Sequence, residues 1–439
     1  MKIKLYSLMV LPFLFVTFSQ AQEVLTKERA IELALENNYG VKIANNNVEI
    51  ADNNKSVLNT RYLPTVSTNA GATFNRDNIT AEFSDGNSTE LNGARSSRFN
   101  ATINVNYTLF DGLGRFYDYK RLKEEYQLSE LQARETIENT IFQLFTVYYN
   151  VAQLSKNNES LQQTLNITKD RLKRAKYQFE FGQNTKLAIL NAQVDINNDS
   201  INLINQIQLY KNTKRDLNVV LGNALGNDFN VNTNVDFILG LNKETLLSKM
   251  KANNVTLLQI NKNIKINNYL LKSGKSAFLP TIGLNGSYGW NRNNNNQASF
   301  LSSSTNLGLS GGVNLTWNLF DGGNAINILK NAKIDLLNQE YQKEDLIINV
   351  ERDFNNAWDD YQNKLEVFRI QEDNIITSQN NFDRTQEQFK LGQTSSIEFR
   401  QAQLNLLNAE LSKNQAKFDA KIAELLVLQL SGELLNVDF

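Results

Sequence analysis

The chain repeats itself at a constant offset. Leu109-Phe110-Asp111-Gly112 returns as Leu319-Phe320-Asp321-Gly322, and Phe179-Glu180-Phe181-Gly182-Gln183 returns as Phe389-Lys390-Leu391-Gly392-Gln393. Both pairs lie 210 residues apart (320 − 110 and 392 − 182), and the same offset carries Ala192-Gln193 onto Ala402-Gln403 and Gly222 onto Gly432. Self-similarity over this length predicts two structural copies, residues 22–222 and 242–439, joined by a linker over 223–241.

The first 21 residues read as a cleavable signal peptide, with Lys2 and Lys4, an apolar run over 5–18, and Ser19-Gln20-Ala21 as the cleavage site. The chain contains no cysteine, so an exported product has neither a disulfide framework nor a thiol for an N-terminal lipid anchor. Without histidine or cysteine the usual metal and nucleophile sets are missing, and no catalytic, cofactor-binding or metal site is expected. The charges balance at 45 basic and 46 acidic residues with no basic stripe, which argues against a nucleic-acid partner. After the leader no apolar stretch approaches the roughly 20 residues of a spanning helix, so any membrane-spanning part must be β.

Pro64 and Pro280 stand at matching places, Tyr62-Leu63-Pro64-Thr65 and Phe278-Leu279-Pro280-Thr281, each after a helical stretch and before an alternating one. Proline ends a helix and suits the first residue of a strand. Beyond each, apolar and polar residues alternate. Val66, Thr68, Ala70, Ala72 and Phe74 interleave with Ser67, Asn69, Gly71 and Thr73; Ile103, Val105 and Tyr107 with Thr102, Asn104 and Asn106. The second copy repeats this with Ile282, Leu284, Tyr288 and Trp290, then Leu307, Leu309, Val313 and Leu315. Period two over about 10 residues is the pattern of a transmembrane strand, although a soluble half-buried hairpin gives it too. Strands are expected at about 62–75, 98–110, 278–291 and 307–320, with polar loops over 76–97 and 292–306.

After each Leu-Phe-Asp-Gly the period becomes helical. Residues 115–180 hold no proline or glycine, enough for a helix of roughly 100 Å. Leu161, Leu165, Leu172, Ala175 and Phe179 form a coiled-coil stripe, copied by Ile375, Phe382 and Phe389. Gly182 and Gly392 break these helices, and a return helix in each copy stops at Gly222 or Gly432. Shorter helices are expected over 26–37, 41–61, 243–253 and 255–272. Four strands cannot close a barrel and an open edge is untenable in hydrocarbon, so copies must pool their strands. Three copies give 12.

Taken in order and twice over, the helix-Leu-Pro-strand junctions, the Leu-Phe-Asp-Gly turns and the Phe-x-x-Gly turns followed by Ala-Gln resemble the TolC family of outer-membrane efflux proteins. The resemblance covers essentially the whole mature chain. It implies an α+β membrane protein, internally duplicated, whose homotrimer forms a 12-stranded transmembrane β-barrel continuous with a long periplasmic α-helical coiled-coil barrel. The implied function is a passive exit duct in the outer membrane, serving tripartite efflux or type I secretion. Its implied partners are a periplasmic adaptor, through it an inner-membrane pump, and outer-membrane lipid. A periplasmic coiled-coil structural or adaptor protein without a span is the alternative.

The resemblance also assigns sites. Gly182, Gln183, Gly392 and Gln393 would form the adaptor-docking tips. The family's closing contacts join an acid six residues past the first glycine to a tyrosine and an arginine of the second copy; here those positions hold Ala188, Phe389 and Thr394. Of two acidic entrance positions one is kept as Glu398 and the other is Gln401, so Thr394, Glu398 and Gln401 are the pore-entrance candidates. Three Glu398 carboxylates around one axis would repel one another and raise their pKa values. Pro64, Asp111, Gly112, Pro280, Asp321 and Gly322 mark the strand-helix junctions, where the two aspartates are expected to cap helices.

Overall fold

A computed structural model describes residues 24–226 and 229–437, so the expected signal peptide lies outside the described residues. In chain order the first copy contains β1 (Val24–Leu25), α1 (Lys27–Asn37), α2 (Tyr39–Asn54), β2 (Thr65–Glu82), β3 (Ser88–Asp111), α3 (Gly114–Glu180) and α4 (Lys186–Val220). The linker contains β4 (Asn230–Val231), and the second copy α5 (Lys243–Asn253), α6 (Val255–Gly274), β5 (Thr281–Asn294), β6 (Ser303–Thr316), α7 (Asn324–Leu391) and α8 (Ser396–Leu430). Two short helices, a hairpin, a very long helix and a returning helix thus occur twice. At 67 and 68 residues, α3 and α7 are each about 100 Å long. Among the described residues no helix is long and apolar enough to cross a membrane.

Several boundaries differ from the sequence expectation. Helix α2 stops at Asn54 instead of running to 61, because polar side chains there offer the backbone local partners. Ser56 Oγ accepts from Leu58 N at 3.2 Å, and Asn59 Nδ2 donates to the Asn54 carbonyl at 3.3 Å, around a 3-10 turn at Val57–Asn59. The stretch 76–97 is no loop: β2 and β3 stay paired from Arg76↔Arg95 out to Glu82↔Ser88, past one bulge whose Asn78 side chain accepts from Gly93 N at 2.8 Å. Polar residues on both faces erase the period-two signal while the backbone ladder continues. In the second copy strand β5 extends to Asn294 and β6 spans 303–316, so 317–320 lie beyond the ladder and Trp317 Nε1 donates to the Phe278 carbonyl at 3.2 Å. The strands open at Thr65 and Thr281, directly after the two prolines, rather than at 62 and 278.

The four long strands form one antiparallel sheet in the order β2-β3-β5-β6. Register aligns its faces into rows. One face stacks Phe110–Ile282–Leu315, Tyr107–Leu284–Val313, Val66–Val105–Gly286–Gly311, Thr68–Ile103–Tyr288–Leu309 and Ala70–Ala101–Trp290–Leu307. The opposite face carries rows such as Ser67–Asn104–Ser287–Ser310 and Gly71–Asn100–Asn291–Asn306.

The largest core lies midway along the helices, where Phe145, Tyr148 and Tyr149 of α3 pack with Leu217, Leu221, Leu425 and Leu428. Tyr148 is fully buried; its hydroxyl donates to the Leu25 carbonyl at 2.7 Å and accepts from Asn232 N at 3.0 Å. This strap fastens the inter-repeat linker to the core, and burial pushes the phenol up to about 12. A second duplicated joint sits beside it. Asn38 and Asn254 cap α2 and α6 with their Oδ1 atoms while their Nδ2 atoms donate to the Val220 and Leu430 carbonyls at 3.0 and 2.9 Å. Gly222 and Gly432, at φ +70° and +72°, pass so close that a Cβ would stand 2.5 Å from the Asn37 and Asn253 carbonyl oxygens. Here glycine is required by space as well as by conformation.

Candidate functional site

The two helical turns lie together at one end of the bundle. Each long helix ends in a Schellman turn: Gln183 N donates to the Gln178 carbonyl at 2.7 Å with Gly182 at φ +73°, and Gln393 N to the Gln388 carbonyl at 2.8 Å with Gly392 at φ +74°. Nothing lies within 4 Å of a Cβ built on either glycine, so these turns face open space. Between them is a cleft of about 810 Å³ lined by Gln183, Ala188, Phe389, Gly392, Thr394 and Gln401, among others. Most of the sequence-derived tip and entrance residues are therefore neighbours.

Glu398 is the third residue of α8 and closes a capping box. Its Oε2 accepts from Ser395 N at 2.9 Å and from the Thr394 hydroxyl at 2.5 Å, while Ser395 Oγ accepts from Glu398 N at 3.2 Å. The Thr394 hydroxyl first, then the Ser395 N–H, hold this exposed carboxyl below the usual carboxylate range. Within one chain the shift runs opposite to that expected from three carboxylates around an axis. Gln401, one turn on, donates to Asn405 Oδ1 at 2.8 Å.

Beside the Gly392 turn, aromatic rings pack against each other. The Phe389 ring stacks on Phe399 with centroids 4.7 Å apart and planes at 5°, and the Arg174 guanidinium covers Phe389 at 5.3 Å while donating to the Lys390 carbonyl. Immediately above lies an ionic network that sequence reasoning missed. Arg400 of α8 grips Asp199 of α4 with two donors at 2.6 and 2.9 Å and approaches Asp195 at 3.7 Å; Arg171 of α3 pairs with Asp195. Thr168 donates to Asp199 Oδ2 at 2.7 Å, and Gln403 donates to the Thr164 carbonyl at 2.9 Å. Arg171, Asp199 and Gln403 are buried. The signal was present: Thr164, Thr168, Arg171 and Ala175 follow steps of four, three and four, and Asp195 and Asp199 share a helical face. Charged residues on a buried stripe need partners of opposite sign.

At the other end of the long helices, Asp111 and Asp321 do cap, though from two residues ahead of the formal N-cap. Asp111 Oδ2 accepts from Arg115 N and Nε at 3.0 and 3.1 Å; Asp321 Oδ2 accepts from Ala325 N at 2.8 Å. The residues between are left-handed, with Gly112 at φ +69° and Gly322 at +74°. Pro64 and Pro280 stand immediately before β2 and β5. Among the described residues no group of His, Cys, Asp or Glu could hold a metal ion.

Comparison with known proteins places this geometry. The family model described as outer membrane efflux protein matches residues 30–223 and 246–433, one segment per copy. The outer membrane protein TolC of Vibrio cholerae is 25% identical over 197 residues, 44% of each chain. The outer membrane efflux protein BepC of Brucella suis is 19% identical over 412 residues, 92% of this chain and 85% of that one. The Campylobacter jejuni CmeC outer membrane channel superposes with a TM-score of 0.75 at 17% identity, covering 93% of this chain and 86% of that one.

Proposed function

The chain belongs to the outer membrane efflux protein family, and we propose that it is the passive exit duct of a tripartite efflux or type I secretion system, working as a homotrimer that carries cargo from the periplasm or an inner-membrane pump to the outside. The observation that carries this reading is a four-stranded sheet with one apolar face and two unpaired edges, β2 and β6. In water, Val66, Leu309, Val313 and Leu315 would be exposed at 63% or more. In hydrocarbon that face is satisfied and the edges are not, so β6 of one copy must pair with β2 of the next until the barrel closes.

The helices carry the same message. Leu187, Leu190, Val194, Ile201 and Ile204 of α4, and Ile334, Leu337, Tyr341 and Ile348 of α7, are exposed at three-, four- and seven-residue steps. These are coiled-coil seams awaiting a partner. The Gly182-Gln183 and Gly392-Gln393 turns, open to solvent, are the surfaces for a periplasmic adaptor, and Thr394, Glu398 and Gln401 line the entrance beside them. With the charged closing contacts replaced, the Arg400 network holds the two hairpins of one chain together near the tip.

The test is fractionation and planar-bilayer recording of the full chain. A heat-sensitive trimer in outer-membrane fractions that forms discrete conductance steps is the expected result. A monomer recovered in the periplasm would favour the coiled-coil alternative.

A further inference from the structure

Three arginines stand where the lipid-facing side of the sheet ends. On the apolar face, alternation places Arg292 in the row Ala72–Phe99–Arg292–Thr305, directly beyond Trp290, and Arg76 opposite Arg95 two rows further out, beyond Phe74–Ser97–Asn294–Ser303. From Phe110–Ile282–Leu315 to the Phe99 row is five row steps of about 7 Å, or about 25 Å of height for strands tilted near 40°. That matches the apolar band of an outer-membrane barrel. The arginines therefore begin where hydrocarbon gives way to headgroups, on the side away from the helices. Phe74 and Phe99, in edge-to-face contact at 5.6 Å, form an aromatic layer beneath Arg76 and Arg95, with Arg292 in the Phe99 row.

All three side chains are exposed, and among the described residues no carboxylate pairs with any of them. Asp77 follows Arg76 on the opposite face, across from Ala94, and Glu82, Asp85 and Glu90 lie further out toward the hairpin end. Arg98, by contrast, points to the other face and donates to Asn293 Oδ1 at 3.0 Å. Like charges directly across a strand pair repel, so Arg76 opposite Arg95 is costly unless an anion sits between them. Guanidinium groups match phosphate oxygens in bidentate geometry.

We propose that Arg76, Arg95 and Arg292 form a binding site for the phosphate-bearing headgroups of outer-leaflet lipid, anchoring the height and orientation of the barrel. The proposal rests on the reading of this sheet as a membrane barrel. Each basic residue near an anionic surface is worth about five-fold in binding, so replacing all three should weaken headgroup binding by roughly a hundred-fold.

The experiment compares wild type with Arg76→Gln/Arg95→Gln/Arg292→Gln and with Arg98→Gln, purified as trimers in detergent. Thermal dissociation is followed as lipid A, dephosphorylated lipid A or inorganic phosphate is added. Lipid A should stabilise wild type and Arg98→Gln alike, dephosphorylated lipid should not, and the triple variant should require about a hundred-fold more lipid A for the same shift. An unchanged response of the triple variant overturns the site. Equal stabilisation by inorganic phosphate means that the site takes free anion, and the lipid assignment falls. Conductance of both proteins in neutral lipid is the separate check on the barrel: its loss in wild type would sink the membrane reading itself.

Discussion

The two copies have the same elements and unequal surroundings. Helices α3 and α7 differ by one residue in length, yet nineteen residues of α3 are buried against seven of α7. The return helices invert the pattern, with seven in α4 and fifteen in α8. Helices α3 and α8 meet inside the chain, and strands β3 and β5 pair there. The equivalent partners under the repeat, α7 with α4 and β6 with β2, are the ones left bare. A duplicated chain thus presents the first-to-second contact filled and the second-to-first contact open, which is how a repeat builds a ring from several copies.

The seams differ in chemistry as well as occupancy. Inside the chain Arg400 meets Asp195 and Asp199 beside Thr168 and Arg171. Moving each by 210 residues gives Leu190, Asn405, Ala409, Ser378 and Asn381, none of them charged. The internal contact is ionic and directional, and the counterpart positions carry no charge. Asp199→Leu should cost about 3 kcal/mol of chain stability, because it removes the main carboxylate partner of the largely buried Arg400 guanidinium. Leu190→Ala should leave the chain's own unfolding unchanged and lower only the concentration-dependent trimer melt. Calorimetry at several protein concentrations separates the two, and indistinguishable profiles would dissolve the contrast.

Facing within the sheet is the next comparison. Val105 sits in the third of the apolar rows and Leu315 in the first, at the helix end. Val105→Arg should destabilise by about 2–4 kcal/mol, as near the bilayer midplane, and Leu315→Arg by about 0–1 kcal/mol. Equal penalties in vesicle refolding titrations would mean that the band is set at a different height.

Glycines give a smaller pair of effects. At Gly222 and Gly432 a Cβ would meet backbone at 2.5 Å, while at Gly182 and Gly392 it meets nothing within 4 Å. Alanine should therefore cost about 2–3 kcal/mol at the first two and about 1 kcal/mol at the tips, where only left-handed strain remains. Denaturant midpoints of the four variants would expose a different order.

These contrasts show what the sequence made legible. Duplication, strand facing and helix breaks follow from periodicity and from single residues such as Pro64, Gly182 and Gly432, whose constraints are local. The outer half of the first hairpin was missed because polar residues on both faces carry no period, although the ladder continues. The Asn38 and Asn254 joint was missed although its copies share the 216-residue offset of Pro64 and Pro280 (254 − 38 and 280 − 64), because one asparagine that caps its own helix and reaches the last carbonyls of another leaves no signature in spacing. The Arg400 network was missed because it joins three helices, and pairing across helices is invisible to spacing along one. Tip and entrance residues were assigned through family resemblance; their capping bonds required coordinates.

The tips differ in one installable feature. Ser395 and Glu398 form a capping box, whereas their counterparts Thr185 and Ala188 do not, and Thr185 makes no side-chain cap bond. Ala188→Glu completes the Thr-x-x-Glu pattern and should stabilise the first tip by about 0.5 kcal/mol, read as slower amide exchange in the first turn of α4. Unchanged exchange would show that the turn geometry, not the missing acid, sets the difference.

The finest test concerns the charge of Glu398 itself. In one chain its carboxyl is held low by the Thr394 hydroxyl and the Ser395 N–H. A depressed folded value means that the cap's contribution is present above the ordinary glutamate range and is lost as pH falls through the lowered value. Local exchange protection at Glu398 and Phe399 should therefore fall only in strong acid when the chain is dissociated. Assembly adds the opposing influence: three such carboxylates around one narrow axis repel, which raises their pKa and draws cations. If Glu398 lines the entrance, loss of protection should begin at higher pH in the trimer than in the dissociated chain, and Glu398→Gln should abolish the difference while weakening cation preference in bilayer recordings. Coincident titrations of the two states would put Glu398 on an ordinary solvated face, away from the axis.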